Sequence, residues 1–142
     1  MTKNTKLYVI GLVLIAVIGA TTMVGVGMLA TTPNKPAPKI YEIDTASSGK
    51  TITMKTGDSI RLTLKDFGDG GYSWTVKDQD VRLLKLASTS HTNATGGLGD
   101  FGNNIWVFTA ISPGSSTLSL TCARPWNTTD VCASFTTQVV IQ

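Results

Sequence analysis

Between Ile60 and Lys65 the sequence alternates residue by residue. Ile60, Leu62 and Leu64 fall on one side of an extended chain, and Arg61, Thr63 and Lys65 on the other. Leu118, Leu120 and Cys122 alternate with Ser119 and Thr121 in the same way. A two-residue period cannot give a helix one apolar stripe, so these segments are predicted to be half-buried antiparallel strands. Similar short strands are expected at Tyr41–Ile43, Thr51–Met54, Tyr72–Val76, Leu83–Ala87, Ile105–Ile111 and Ser134–Ile141. No segment after residue 39 has a capped apolar period of 3.6.

Turn-forming clusters separate these runs: Ser47-Ser48-Gly49, Thr56-Gly57-Asp58, Gly68-Asp69-Gly70-Gly71, Asp78 to Asp80, and Ser112-Pro113-Gly114-Ser115. About seven or eight strands in about 100 residues predict an all-β, immunoglobulin-like antiparallel β-sandwich over residues 40–142. The Cys-Trp-Cys spacing of a true immunoglobulin domain is absent, so the expectation rests on strand rhythm. Ser88 to Asn104, 17 residues rich in Ser, Thr, Asn and Gly, breaks the rhythm and is expected to be a long loop.

The other end of the chain is unlike this. Leu7 to Ala30 is a 24-residue stretch without charge, and about 20 apolar residues span a bilayer core as a helix. Lys3 and Lys6 precede it, which places the N-terminus in the cytoplasm and the rest of the chain outside. Residues 1–30 therefore read as a single transmembrane signal anchor. The competing reading is a secretory signal peptide cleaved after Ile18-Gly19-Ala20, which leaves a secreted domain. Residues 31–39, TTPNKPAPK, hold three prolines and form an extended spacer.

This division explains the charge. The formal net charge of +3 and a pI near 9.0 suggest a nucleic-acid partner. Yet residues 1–39 hold Lys3, Lys6, Lys35 and Lys39 and no acid, while the remaining 103 carry eight basic and nine acidic residues, net −1. A near-neutral domain offers no basic footprint, so nucleic-acid binding is not expected.

Catalytic chemistry is sparse. His91 is the only histidine and is expected to be a solvated loop residue. One histidine and two cysteines do not supply a metal site, and no cofactor is implied. Gly97-Leu98-Gly99-Asp100-Phe101-Gly102 has the glycine spacing of a dinucleotide-binding turn, but it leads into the strand Ile105-Trp106-Val107-Phe108 and not into a helix. Asp-Phe-Gly occurs twice, at 66–68 and 100–102, without the other parts of a kinase. No catalytic constellation remains, so the chain is not expected to be an enzyme.

Other features point to binding. Cys122 and Cys132 close an 11-residue loop on the exported side of the membrane, where a disulfide is expected to persist. Asn93-Ala94-Thr95 and Asn127-Thr128-Thr129 are N-glycosylation sequons. Arg124-Pro125-Trp126 forms the tip of the disulfide-closed hairpin. Trp126 either awaits a partner that buries it or folds back onto the sandwich edge. In a sandwich, alternate connections emerge at one end, so the loops at 66–71, 97–104 and 123–131 are expected to cluster as one binding surface on a rigid platform.

These loops resemble the chagasin family of cysteine-protease inhibitors. Gly71-Tyr72-Ser73-Trp74 looks like the end of that family's first loop, Gly99-Asp100-Phe101-Gly102 like its glycine-rich second loop, and Arg124-Pro125-Trp126 matches its third. The resemblance covers about residues 48–141. It implies a monomer that reversibly and non-covalently inhibits papain-like cysteine peptidases by occluding their cleft with three loops. In that reading Asp66, Phe67, Gly68, Asp69, Gly70, Gly71 and Tyr72 lie over the catalytic cysteine, with Trp74 closing the motif. Trp126, beside Arg124 and Pro125, packs on the prime side, and Gly99, Asp100, Phe101 and Gly102 approach the non-prime side. The sequence departs from the family in two places. Phe67-Gly68-Asp69-Gly70 stands where Asn-Pro-Thr-Thr is usual, which puts Asp69 in the place of a threonine, and Phe101 stands where glycine is common. The alternative is an exported immunoglobulin-like adhesion module whose loops recognise another surface protein.

Overall fold

The structure, a computed structural model, describes residues 35–142, with the side chain of Asp69 excepted. The expected anchor or signal segment at Leu7–Ala30 lies outside the described residues. Among the described residues no helix is long and apolar enough to cross a membrane. Lys35 to Lys39, the end of the spacer, has no regular structure.

Eight strands follow: β1 (Ile40–Ile43), β2 (Thr51–Met54), β3 (Ser59–Lys65), β4 (Ser73–Asp78), β5 (Leu84–Thr92), β6 (Asn103–Ala110), β7 (Gly114–Arg124) and β8 (Asn127–Ile141). They form two four-stranded sheets, β1-β3-β6-β5 and β2-β8-β7-β4. The alternating residues face inward between the sheets as expected. Ile60, Leu62 and Leu64 of β3 meet Leu118 and Leu120 of β7 in one core that also buries Phe108, Phe135 and Val139, all 0–1% exposed. Each such side chain contributes about 1.5–3 kcal/mol by leaving water.

The sheets are mixed, where antiparallel pairing throughout was expected. β1 pairs in parallel with β3, and β2 in parallel with β8. The cause is the path of the N-terminal segment. It starts at the pole where β3 also begins, runs up one sheet edge, crosses through a short 3-10 turn at Thr45–Ser47, and descends the edge of the other sheet beside β8. The Asp58 carboxylate fastens this start. It accepts hydrogen bonds from the backbone N–H groups of Lys39 and Lys55, both at 2.9 Å, and these hold its pKa below the usual carboxylate range.

Three local expectations also change. Ser88 to Asn104 is not one long loop, because β5 continues to Thr92 and β6 begins at Asn103. β5 is an edge strand exposed from Lys85 onward, so past the expected run Leu83–Ala87 it carries no apolar alternation to read. Tyr72 precedes β4 and does not belong to it. The expected 123–131 tip is mostly strand, with β7 reaching Arg124 and β8 starting at Asn127.

Cys122 and Cys132 form the disulfide, joining β7 to β8 across a Cα separation of 5.4 Å. Closing a loop of this length restricts the unfolded chain by about 3 kcal/mol in the chain-entropy treatment. Replacing both cysteines by serine is expected to lower the stability of the sandwich by about that amount, measured by urea unfolding, with a larger m-value because the released chain exposes more surface when unfolded.

Candidate functional site

β3, β5 and β7 all end at the same pole. Lys65 and Thr92 both pair with Asn103, and Ala123 pairs with Ser73 in the other sheet. Three connections therefore emerge together: loop 1 (residues 66–72), loop 2 (93–102) and loop 3, which is only Pro125 and Trp126. The chain enters the sandwich, and its last strand ends, at the opposite pole.

Loop 1 makes a 3-10 turn at Asp69–Gly71. Gly70 and Gly71 take φ values of +73° and +79°, which side-chain-bearing residues rarely adopt. The glycines also let neighbours touch the backbone. A methyl group at Gly68 would lie 3.6 Å from the Phe101 ring, one at Gly70 would lie 3.0 Å from Arg124 Nη2, and one at Gly71 would collide with the Trp126 indole. Loop 1 is thus gripped by loop 2 through Phe101 and by the loop 3 hairpin through Arg124 and Trp126.

Polar contacts hold the grip in place. Arg124 Nε donates to the Gly70 carbonyl at 2.9 Å, its Nη1 lies 3.0 Å from Asp130 Oδ2, and its guanidinium stacks 4.7 Å from the Tyr72 ring centre. The Tyr72 hydroxyl donates to Asp130 Oδ1 at 2.9 Å, and this bond, aided by desolvation, raises the phenol's pKa. Asp130 was not among the residues expected from sequence. Its partner Tyr72 is 58 positions away, and nothing local marks it.

Loop 2 is organised by Asp100. Its carboxylate accepts from the Thr95 hydroxyl, the Thr95 N–H at 2.7 Å and the Gly102 N–H at 2.9 Å. These bonds, led by the Thr95 hydroxyl, lower its pKa to about 2. Gly102 is buried at φ +82°, and a side chain there would strike the Thr92 carbonyl. Its own carbonyl accepts from Asp66 N–H at 3.0 Å, which ties loop 2 to loop 1. His91, expected in a solvated loop, is on β5, and its Nε2 lies 2.9 Å from Asp66 Oδ2. Leu98 projects from loop 2 fully exposed.

Most of the residues expected at the site meet here. Asp66, Phe67, Tyr72, Gly99, Phe101 and Cys132, with Lys65, line a shallow groove of about 270 Å³ between the loops. Trp126 combines both readings left open by the sequence, with its indole against Gly71 yet 72% exposed. Trp74 belongs to the support. It is half-buried on β4, stacks edge-on to Trp106, and donates Nε1–H to the Lys65 carbonyl at 2.9 Å. Both sequons are exposed, Asn93 beginning loop 2 and Asn127 following Trp126. Among the described residues no three His, Cys, Asp or Glu side chains are placed to hold a metal ion.

The three connections form one contiguous pole of the sandwich, and comparison with known proteins gives the chain's class. Residues 53–140 match the family described as Chagasin family peptidase inhibitor I42, so the chain belongs to the chagasin family of cysteine-protease inhibitors and is not an enzyme. The cysteine protease inhibitor EhICP2 from Entamoeba histolytica has a similar fold, with a TM-score of 0.65 and 20% identity over 76% of this chain and 100% of that one. The solution structure of amebosin gives a TM-score of 0.59 and 24% identity over 74% of this chain and 99% of that one. PbICP-C, solved in complex with falcipain-2, gives 0.54 and 14% identity over 78% and 96%. No curated protein matches the sequence.

The Asp100 carboxylate gives loop 2 a defined acid limit. Its pKa falls from the ordinary 3.8 to about 2 on folding, so its contribution is complete above about pH 4 and is lost as pH falls from 3.8 toward 2. In Asp100→Asn, the amides of Thr95 and Gly102 are expected to exchange with solvent faster at neutral pH. The acid-induced loosening of those two amides, followed by NMR, is expected to disappear.

Proposed function

We propose that the three-loop pole is a preformed wedge that inhibits papain-like cysteine peptidases reversibly and without covalent chemistry. The observation that carries this reading is the clamped state of loop 1, held on its glycines by Phe101, Arg124 and Trp126. A loop ordered before contact loses little conformational entropy on docking, and its bare glycine backbone can approach a narrow cleft closely. Membership of the family supports the target class, as does the complex of the similarly folded PbICP-C with falcipain-2. In this reading loop 1 covers the catalytic thiol, Trp126 is buried by the peptidase on one side, and loop 2 closes on the other.

The domain is proposed to act as a monomer outside the cytoplasm, tethered by the uncharged stretch Leu7–Ala30 behind Lys3 and Lys6. The chain enters the sandwich at the pole away from the loops, which suits a tether. A glycan at Asn127 would sit beside Trp126 and oppose docking.

Titrating the full chain, solubilised in a non-ionic detergent, against papain tests the reading. Residual activity is expected to fall with inhibitor concentration and to return on dilution. Trp126→Ala is expected to weaken inhibition by about 2 kcal/mol, roughly 30-fold, as loss of a central aromatic anchor does. No inhibition at micromolar concentration would instead favour a module that recognises another surface protein.

A further inference from the structure

We propose that the Cys122–Cys132 bridge is a thiol-exchange site, in which a small exogenous thiolate enters the groove between loops 1 and 2 and attacks Sγ of Cys132. The new bond joins the thiol's sulfur to Cys132. The bond to Cys122 breaks, and its electron pair leaves on Cys122 Sγ, which then takes a proton from solvent. No net oxidant or reductant is consumed beyond the attacking thiol.

Three observations support this regiochemistry. The two sulfurs differ in access: Cys122 is fully buried, whereas Cys132 is only partly buried and lines the groove. Exchange rates depend on which sulfur the thiolate can reach, so attack on Cys132 is favoured by approach alone. Lys65 and Asp66 both line the groove, so their formal charges offset and an anionic thiolate is not turned away. Finally, Cys132 itself has no partner in the ladder. Cys122 pairs with Ala133 and Ala123 with Val131, which leaves Cys132 as an extra residue in a bulge. The next pair is Arg124 with Asn127, so residues 128–130 are also outside the ladder.

The bridge therefore adds a covalent tie where the ladder is interrupted. It pins the segment carrying Asp130, which in turn holds Arg124 and Tyr72 against loop 1. A thiol placed on Cys132 frees that segment and occupies the floor of the groove. The loop pole loosens while the core below Cys122 stays intact.

The test uses the full chain in a non-ionic detergent, incubated with millimolar reduced glutathione, quenched with N-ethylmaleimide, digested and mapped by mass spectrometry. Glutathione is expected on Cys132 and maleimide on Cys122, in excess over the reverse arrangement by about tenfold or more. Equal labelling of the two positions, glutathione mainly on Cys122, or incorporation only after denaturant is added would each overturn the proposal. The map reads chemistry at sulfur, so its outcome is independent of whether the chain inhibits a peptidase.

Discussion

The contact on which the loop pole depends is the packing of three side chains onto bare backbone at Gly68, Gly70 and Gly71. Phe101 comes from loop 2 and Arg124 and Trp126 from the β7–β8 hairpin, and the last two gain their contacts only because Gly70 and Gly71 put no Cβ in the way. Remove Gly70 and Gly71 and loop 1 loses both its conformation and its neighbours. Glycine is usually a source of disorder in a loop. Here the side chains packed around it reverse that effect.

The sandwich makes this meeting possible. β3, β5 and β7 run in one direction and end in line, and the inward alternation of Leu62, Leu64, Leu118 and Leu120 fixes the register that brings their ends together. A slip of one residue in β7 would turn Leu118 and Leu120 to solvent and carry Arg124 away from Gly70. Core packing and site geometry are therefore set by the same register. The belt of Phe67, Trp74 and Trp106 beneath the loops joins the two, with ring centres 6.4 Å apart along the series.

Much of this was legible in the sequence, and the exceptions have physical causes. The alternating strands announced themselves because each has one buried face, and Thr51–Met54 matches its prediction residue for residue. β5 beyond Ala87, the end of its predicted run, was invisible because both of its faces meet solvent. Parallel pairing of β1 and β2 could not be read, since a short strand has the same pattern in either direction. Within the site, glycines and aromatics stood out by type, which located the loops. The ties between them did not stand out: Asp130 and His91 look like ordinary surface residues until folding brings them to Tyr72, Arg124 and Asp66. Trp74 was read as closing the first-loop motif, because an aromatic beside such a motif gives no sign that it packs edge-on to Trp106 beneath it.

The separation of the two poles has a mechanical meaning. If the domain is held by its first residues while a partner grips the loops, any pull between them runs along the strands. β1 is then loaded lengthwise against β3, so the hydrogen bonds from Ile40 to Ile43 share the strain together and are not peeled apart in turn. The Lys39 and Lys55 amides bound to Asp58 stand at the point where that pull arrives. A domain built this way resists being drawn open from the end at which its chain enters.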